Sequence, residues 1–250
     1  MRQGYWKIVY RVISAADVVV EVLDARFPEL ARIEKIERII KKNKHLILAI
    51  NKADLISNEA LTKIEHAYSK ENYVLLSAKN SKGINNLIRK IKDSSNKNRI
   101  RVAIIGYPNT GKSMLINRLS KHARVGTSTE SGFTKGMQNI SGKEGFKLID
   151  TPGIVPFEDR DEIRLGIISG ISPSKLKNPD LVAYELISIF KNNNPLALEQ
   201  AYGVDTNLEP DEILVEIGKK RNMLKKHGIV DEKRAAIQML IEWHNGKIRV

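Results

Sequence analysis

The chain has 250 residues, 42% of them hydrophobic, enough for a substantial core in one large domain plus a small one. It has no cysteine and only five scattered histidines, which excludes disulfides and thiolate metal sites and leaves a hard, oxygen-held ion as the expected metal. No apolar run approaches the roughly 20 residues of a membrane span and no signal-peptide core opens the chain, so a soluble, cytoplasmic, membrane-free monomer is expected. The formal charge of +13 favours a polyanionic partner, and its distribution is uneven: residues 1–170 hold 30 Lys/Arg against 18 Asp/Glu, residues 171–250 hold 12 against 11.

The first apolar run, Val18 to Leu23, predicts a strand. It ends in Asp24-Ala25-Arg26, for which a structural salt bridge or turn and a binding role both stand. Ile33, Ile36, Ile39 and Ile40 then mark one face of a helix. A second strand, His45 to Ile50, runs into Asn51-Lys52-Ala53-Asp54. Guanine presents two adjacent donors on one edge, N1–H and the exocyclic amine, and the paired acceptors of Asp54 match them. Adenine has an acceptor at N1 and no 2-amino group, so it leaves the carboxylate unsatisfied and is rejected. Asn51 would brace the loop and the base, and Lys52 would cover the base face with its stem.

Leu61, Ile64 and Tyr68 mark the next helix, and Tyr73 to Leu76 a third strand. Ser77-Ala78-Lys79 follows it. There the Ala78 amide would reach the guanine carbonyl and Lys79 would pack over the ring. Leu87, Ile88 and Ile91 mark a helix that the polar link Asp93 to Asn98 joins to a fourth strand, Arg101 to Ile105. Basic residues crowd this stretch: Arg89, Lys90, Lys92, Lys97, Arg99, Arg101, Arg118, Lys121 and Arg124.

Gly106 to Ser113 then matches G-x-x-x-x-G-K-S in full, after a strand and before a helix expected over Ser113 to Leu119. Glycines let backbone N–H groups approach phosphates, and the helix N-terminus adds partial positive charge. Lys112 would bridge the β and γ phosphates and the Ser113 hydroxyl would hold Mg2+. Between Val125 and Gln138 a Gly/Ser/Thr-rich stretch suits a switch loop. Thr134 is the choice there for the second Mg2+ hydroxyl, with Thr127 and Thr129 as competitors. A fifth strand, Phe146 to Ile149, leads to Asp150-Thr151-Pro152-Gly153, placing Asp150 where it can hold a magnesium water and the Gly153 amide where it can meet the γ phosphate.

The pattern predicts an α/β domain over 1–170, a parallel sheet covered by helices. Past Gly170 the strand pattern stops and Pro173 and Pro179 mark a boundary. Residues 171–250 read as an all-helical domain. Its helices are Asp180 to Lys191, Pro210 to His227, and one capped by Asp231 that carries Ala235, Met239, Leu240 and Trp243. The cluster Lys219, Lys220, Arg221, Lys225 and Lys226 has two readings, an RNA contact or a solvated helix face.

An ordinary GTPase places its phosphate loop before its base-reading motif; here the order is reversed. The order N-K-A-D, S-A-K, G-Y-P-N-T-G-K-S, T-K-G and D-T-P-G, with D-A-R-F-P near the start and a helical tail, resembles the circularly permuted GTPases of the YlqF/YawG group. The resemblance implies a Ras-like P-loop NTPase fold in permuted order, binding of GTP and GDP, and slow Mg2+-dependent hydrolysis. It also implies rRNA and the large ribosomal subunit or its precursor as partners. It carries the nucleotide over to Asn51, Lys52, Asp54, Ala78, to Asn109, Thr110, Gly111, Lys112, Ser113 and Met114, and to Gly153. Mg2+ goes to Ser113, Thr134 and Asp150. Ile154 stands where Ras-type GTPases have a water-orienting glutamine. By resemblance, Asn109 would instead hold K+, which would supply transition-state charge beside Lys112 and Thr134. The rival functional reading is a GTP-dependent RNA placeholder, or a GTPase serving RNA modification, whose hydrolysis is not the main output.

Overall fold

Seven consecutive residues, Val18–Asp24, form strand β1, and all seven are buried. Such a run suits the middle of a parallel sheet, where both faces are covered and apolar residues need not alternate with polar ones. In a computed structural model that describes residues 2–121, 138–150 and 161–249, β1 lies between β2 (His45–Asn51) and β4 (Arg101–Ile105). The sheet runs β3-β2-β1-β4-β6-β5, with β3 at Tyr73–Leu75, β6 at Lys147–Asp150 and β5 at Gln138–Ser141. Among the described strands of the sheet only the edge pair β5/β6 is antiparallel; the other strand pairs are parallel. Five carboxyl ends therefore point the same way, and the sequence motifs follow them.

One face of the sheet, Val18, Val20 and Val22 of β1 with Ile47, Val102, Ile104 and Leu148, packs on α4 (Ile84–Asp93) and α5 (Lys112–Leu119) through Leu87, Ile91, Leu115 and Leu119. By alternation Val19, Glu21 and Leu23 face the other side. There α1 (Arg2–Ala15) buries Val9, Val12 and Ile13, and α2 (Glu34–Asn43) buries Ile36 and Ile40. Helix α3 (Asn58–Ala67) is capped by Ser57, whose Oγ accepts from the Ala60 amide at 3.2 Å.

A polar cluster sits inside this second layer. Glu21 is fully buried, its Oε1 accepts from the Ile33 amide at 2.8 Å, and its Oε2 has no hydrogen-bond partner among the described residues. Glu37, also buried, is gripped by the Arg32 guanidinium at 2.8 and 2.6 Å. Burial first, and the charge of Glu37 second, push the Glu21 carboxyl up to about 8.

The helix α1 and two short helices below were absent from the sequence-based expectation, while β1 to β4 and β6 fall within a residue or two of it. The new link after α4 is tied down electrostatically. Lys97 and Arg101 both reach Asp17, at 2.7 and 3.0 Å, and these partners hold the Asp17 carboxyl well below the usual range.

The chain divides into two compact units, Met1–Asp159 and Arg160–Val250. The sequence pattern places the division after Gly170. The contacts place it earlier because helix α6 (Glu162–Ile167) belongs with the helices that follow: the buried Trp243 indole donates to the Ile167 carbonyl at 2.8 Å, and His244 meets the Gly166 carbonyl at 2.7 Å. The second unit adds α7 (Pro179–Asn193), α8 (Pro195–Tyr202), α9 (Pro210–Lys220) and α10 (Glu232–His244). Phe190 and Trp243 meet edge to face at 5.6 Å in its core.

The buried face of α7 is Val182, Ala183, Leu186, Ile187 and Phe190, leaving Leu181 exposed and Ile189 half-buried. Helix α9 stops at Lys220, not His227, because Asn222 turns left-handed (φ 52°) and the Met223 amide folds back onto the Gly218 carbonyl at 2.8 Å. That is a Schellman-type stop, and the apolar spacing that runs on to Leu224 conceals it.

Candidate nucleotide site

The phosphate loop leaves β4 at Gly106 and enters α5 at Lys112, one residue ahead of the helix start expected from the sequence. Two of its glycines are steric requirements. Gly106 has φ +138°, and a Cβ there would lie 2.5 Å from the Val22 carbonyl oxygen; Gly111 has φ +96°, and a Cβ would lie 2.2 Å from Asn51 Nδ2. Asn109 at the loop tip also adopts positive φ, 60°. Inside the loop the Thr110 hydroxyl and the buried Lys112 ammonium both donate to the Tyr107 carbonyl, the former at 3.0 Å. Ser113, in the first turn of α5, is half-buried, and Met114 is exposed.

Asn51 ends β2 and joins three loops. Its Nδ2 donates to the Thr110 carbonyl of the phosphate loop at 2.8 Å, and its Oδ1 accepts from the Ala78 amide at 2.9 Å. Bracing of the loop by Asn51 follows the sequence-based expectation. The Ala78 amide, expected to reach a guanine carbonyl, donates to Asn51 here, and Ala78 is fully buried. Ser77 donates to Asp54 Oδ1 at 2.6 Å and so orients the carboxylate expected to read the base, while Lys79 is exposed. Arg118 of α5 donates to the Ala78 and Lys79 carbonyls at 2.8 and 2.7 Å, fixing this turn to the helix of the phosphate loop.

Lys52, left-handed at φ 67°, sends its ammonium to Asp24 Oδ2 at 2.7 Å. Arg26 grips the same carboxylate through Nε at 2.9 Å and a terminal nitrogen at 2.7 Å. The salt-bridge reading of Asp24-Ala25-Arg26 is therefore the geometry present. Burial alone raises the Asp24 carboxyl, but Lys52 and Arg26 outweigh it and hold the group well below the carboxylate range. Burial pulls Lys52 down, and Asp24 opposes that pull. Sequence reasoning missed this pairing: 28 residues separate the partners, and only the β1/β2 register, Asp24 beside Asn51, brings them together.

Asp150 ends β6 next to Ile104 of β4, so its backbone adjoins the phosphate loop. Thr127, Thr129, Thr134, Gly153 and Ile154 lie outside the described residues. Ser113 lies in the first turn of α5 and Asp150 ends β6, and both residue types carry hard oxygen donors. That suits Mg2+, which takes one or two protein oxygens and fills its shell with phosphates and water. No group of three or more His, Cys, Asp or Glu forms a metal cluster among the described residues.

Many basic residues are engaged within the protein. Lys92 pairs with Glu144, Lys90 donates to Asn72, and in the helical unit Arg221 meets Glu242 and Lys225 meets Asp231. Lys220 donates to the Gly203 carbonyl. The charge of these side chains already has a structural use.

A family model described as 50S ribosome-binding GTPase matches residues 101–195. The match begins at β4, the strand of the phosphate loop, and leaves the base-reading half ahead of it. An uncharacterised GTP-binding protein of Methanocaldococcus jannaschii is 38% identical over 247 residues, 97% of this chain and 65% of its own. GTPase grn1 of Schizosaccharomyces pombe is 33% identical over 99% of this chain and 61% of its own. Nucleolar GTP-binding protein 2 of Saccharomyces cerevisiae is 32% identical over 97% and 52%. The chain thus spans between about half and two thirds of the length of these relatives. In fold it is similar to the GNP-bound YlqF of T. maritima, with a TM-score of 0.69 over 98% of this chain and 94% of that one, at 22% identity. Permuted motif order and these likenesses agree: the chain has the fold of the permuted GTPase YlqF and is similar in sequence to GTP-binding proteins.

Proposed function

We propose that this chain binds GTP, hydrolyses it to GDP and phosphate with Mg2+, and acts in assembly of the large ribosomal subunit. The observation that carries the nucleotide reading is Asn51, one side chain that locks the base-reading turn, the phosphate loop and the Ser77-Ala78-Lys79 turn together. A pocket cut by the reordering would not be joined there. The ribosomal part rests on the names of the family and of the nucleolar relatives.

In this reading Asp54, oriented by Ser77, accepts the two guanine donors, and loop amides with Lys112 take the phosphates. Lys112 shifts from the Tyr107 carbonyl to the β and γ oxygens. Ser113, Thr134 and Asp150 would hold Mg2+, which would neutralise phosphate charge. Water attacks the γ phosphorus in line, and charge spreading over the phosphoryl oxygens is met by Lys112 and the loop amides. Asn109 would hold K+, which would supply positive charge in place of an arginine finger. Hydrolysis is slow until a ribosomal surface stimulates it.

Two measurements test the reading. A Lys112→Ala variant should lose GTP turnover, and normal turnover refutes the phosphate assignment. Co-sedimentation with small subunits, large subunits and their precursors should show GTP-dependent binding to the large subunit or its precursor. Indifference to all of them removes the ribosomal assignment and leaves the nucleotide chemistry standing.

A further inference from the structure

The Asp24-Ala25-Arg26 motif has no part in the chemistry above, yet it sits against the base-reading turn. Asp24 closes β1 in register with Asn51, and the Ala25 amide donates to the Asn51 carbonyl at 2.7 Å, so the two turns are knitted through their backbones. The ion contacts lie on top of that seam. Both Asp24 oxygens are occupied, Oδ1 by the Arg26 amide and Nε at 3.1 and 2.9 Å, Oδ2 by Arg26 and Lys52 at 2.7 Å each. Asp24 and Arg26 are buried almost completely. A surface ion pair would fluctuate, but one held in this enclosure fixes its partners.

Lys52 has a second anion within electrostatic reach, Asp54, two residues along the same turn. Asp54 is the carboxylate that reads guanine. A lysine released from Asp24 would be repelled by Arg26 and drawn to Asp54, and an ammonium on that carboxylate competes with the two donors of the base. We propose that Asp24 is a positioning residue for base recognition: by pinning the Lys52 ammonium it keeps Asp54 open to guanine and lays the lysine stem as a floor for the ring. The role rests on the nucleotide reading above. Arg26 has a different part, saturating the carboxylate without touching Lys52 by hydrogen bond.

The test is a double-mutant cycle on the affinity for a fluorescent GDP analogue, using wild type, Asp24→Asn, Lys52→Met and the double variant, with urea stability measured in parallel. Asp24→Asn should weaken binding about tenfold, and in the Lys52→Met background it should weaken binding no further, since residues in one ion network couple. Independent, multiplying losses overturn the proposal, as does an Asp24→Asn variant of unchanged affinity. Arg26→Gln is the second arm. It should lower stability yet leave affinity within about threefold, because Asp24 keeps the Lys52 ammonium as its partner. An equal loss of affinity there shows a merely structural motif and also overturns it. Failure of the wild type to bind any guanine nucleotide instead removes the nucleotide reading itself.

Discussion

Glu21→Gln isolates the buried carboxyl under β1. In the folded protein the Glu21 group is raised to about 8 from an ordinary value of 4.5, by burial first and by Glu37 second, against opposition from the Ile33 amide and Arg32. A raised folded value means that the native state binds the proton more tightly than the unfolded chain. The stability it contributes is then complete below pH 4.5 and is lost as pH climbs towards 8. Across that window the unfolded chain has shed the proton and the folded one has kept it, so the slope approaches about −1.4 kcal/mol per pH unit. Between pH 5.5 and 7.5 the wild type should lose about 2–3 kcal/mol relative to Glu21→Gln, whose side chain has nothing to ionise. Urea unfolding followed by circular dichroism at half-unit pH steps measures the difference, in which the other titrating groups cancel. Parallel profiles for the two proteins would show that Glu21 ionises normally and that its enclosure is wrong.

Three further outcomes follow from the geometry. Gly111→Ala puts a Cβ 2.2 Å from Asn51 Nδ2 at φ +96°. It should cost about 1–3 kcal/mol in thermal unfolding from backbone strain alone and abolish tight guanine-nucleotide binding; binding as in the wild type contradicts the Asn51 lock. Trp243→Phe removes the donor to the buried Ile167 carbonyl. Calorimetry should show a loss of about 1–3 kcal/mol in the helical unit, and a change below half of that means water reaches the carbonyl. Asp17 has its carboxyl lowered by Arg101 first and Lys97 second, so it contributes stability above the ordinary carboxylate range that is lost as pH falls below it. Asp17→Asn should therefore flatten the acid limb of the stability curve, and an unchanged limb counts against the tie between Asp17 and the link after α4.

The parts legible in the sequence are those where local chemistry is decisive. Apolar runs gave β1, β2 and β4, since strands covered on both faces need no alternation, and the turns after them carry residue types dictated by phosphate and guanine. Helix α1 was hidden because RQGYWKIVYRVISA mixes β-branched and aromatic residues with cations and has no acidic first turn to announce a start. Helix α8 is only eight residues long and begins at Pro195, directly after α7. Glu21 stands inside the apolar run of β1, and only the fold shows it enclosed with Glu37 and Arg32. The end of α9 depended on a single left-handed residue, Asn222. Lys52 on Asp24 was beyond any local pattern, because strand register makes that contact.

Asn51 also bears on how the nucleotide is gripped. A guanine nucleotide is a two-headed ligand, a base at one end and a phosphate chain at the other. Asn51 ties the two receptor loops rigidly, so once one head is seated the other meets its loop at a high effective concentration. Guanosine and free triphosphate, offered separately, should each bind orders of magnitude more weakly than the joined molecule, and the gap should shrink when Asn51 is replaced by alanine. On the proposed function, the reordered chain would keep a chelating grip, in which affinity comes from the spacing of two sites.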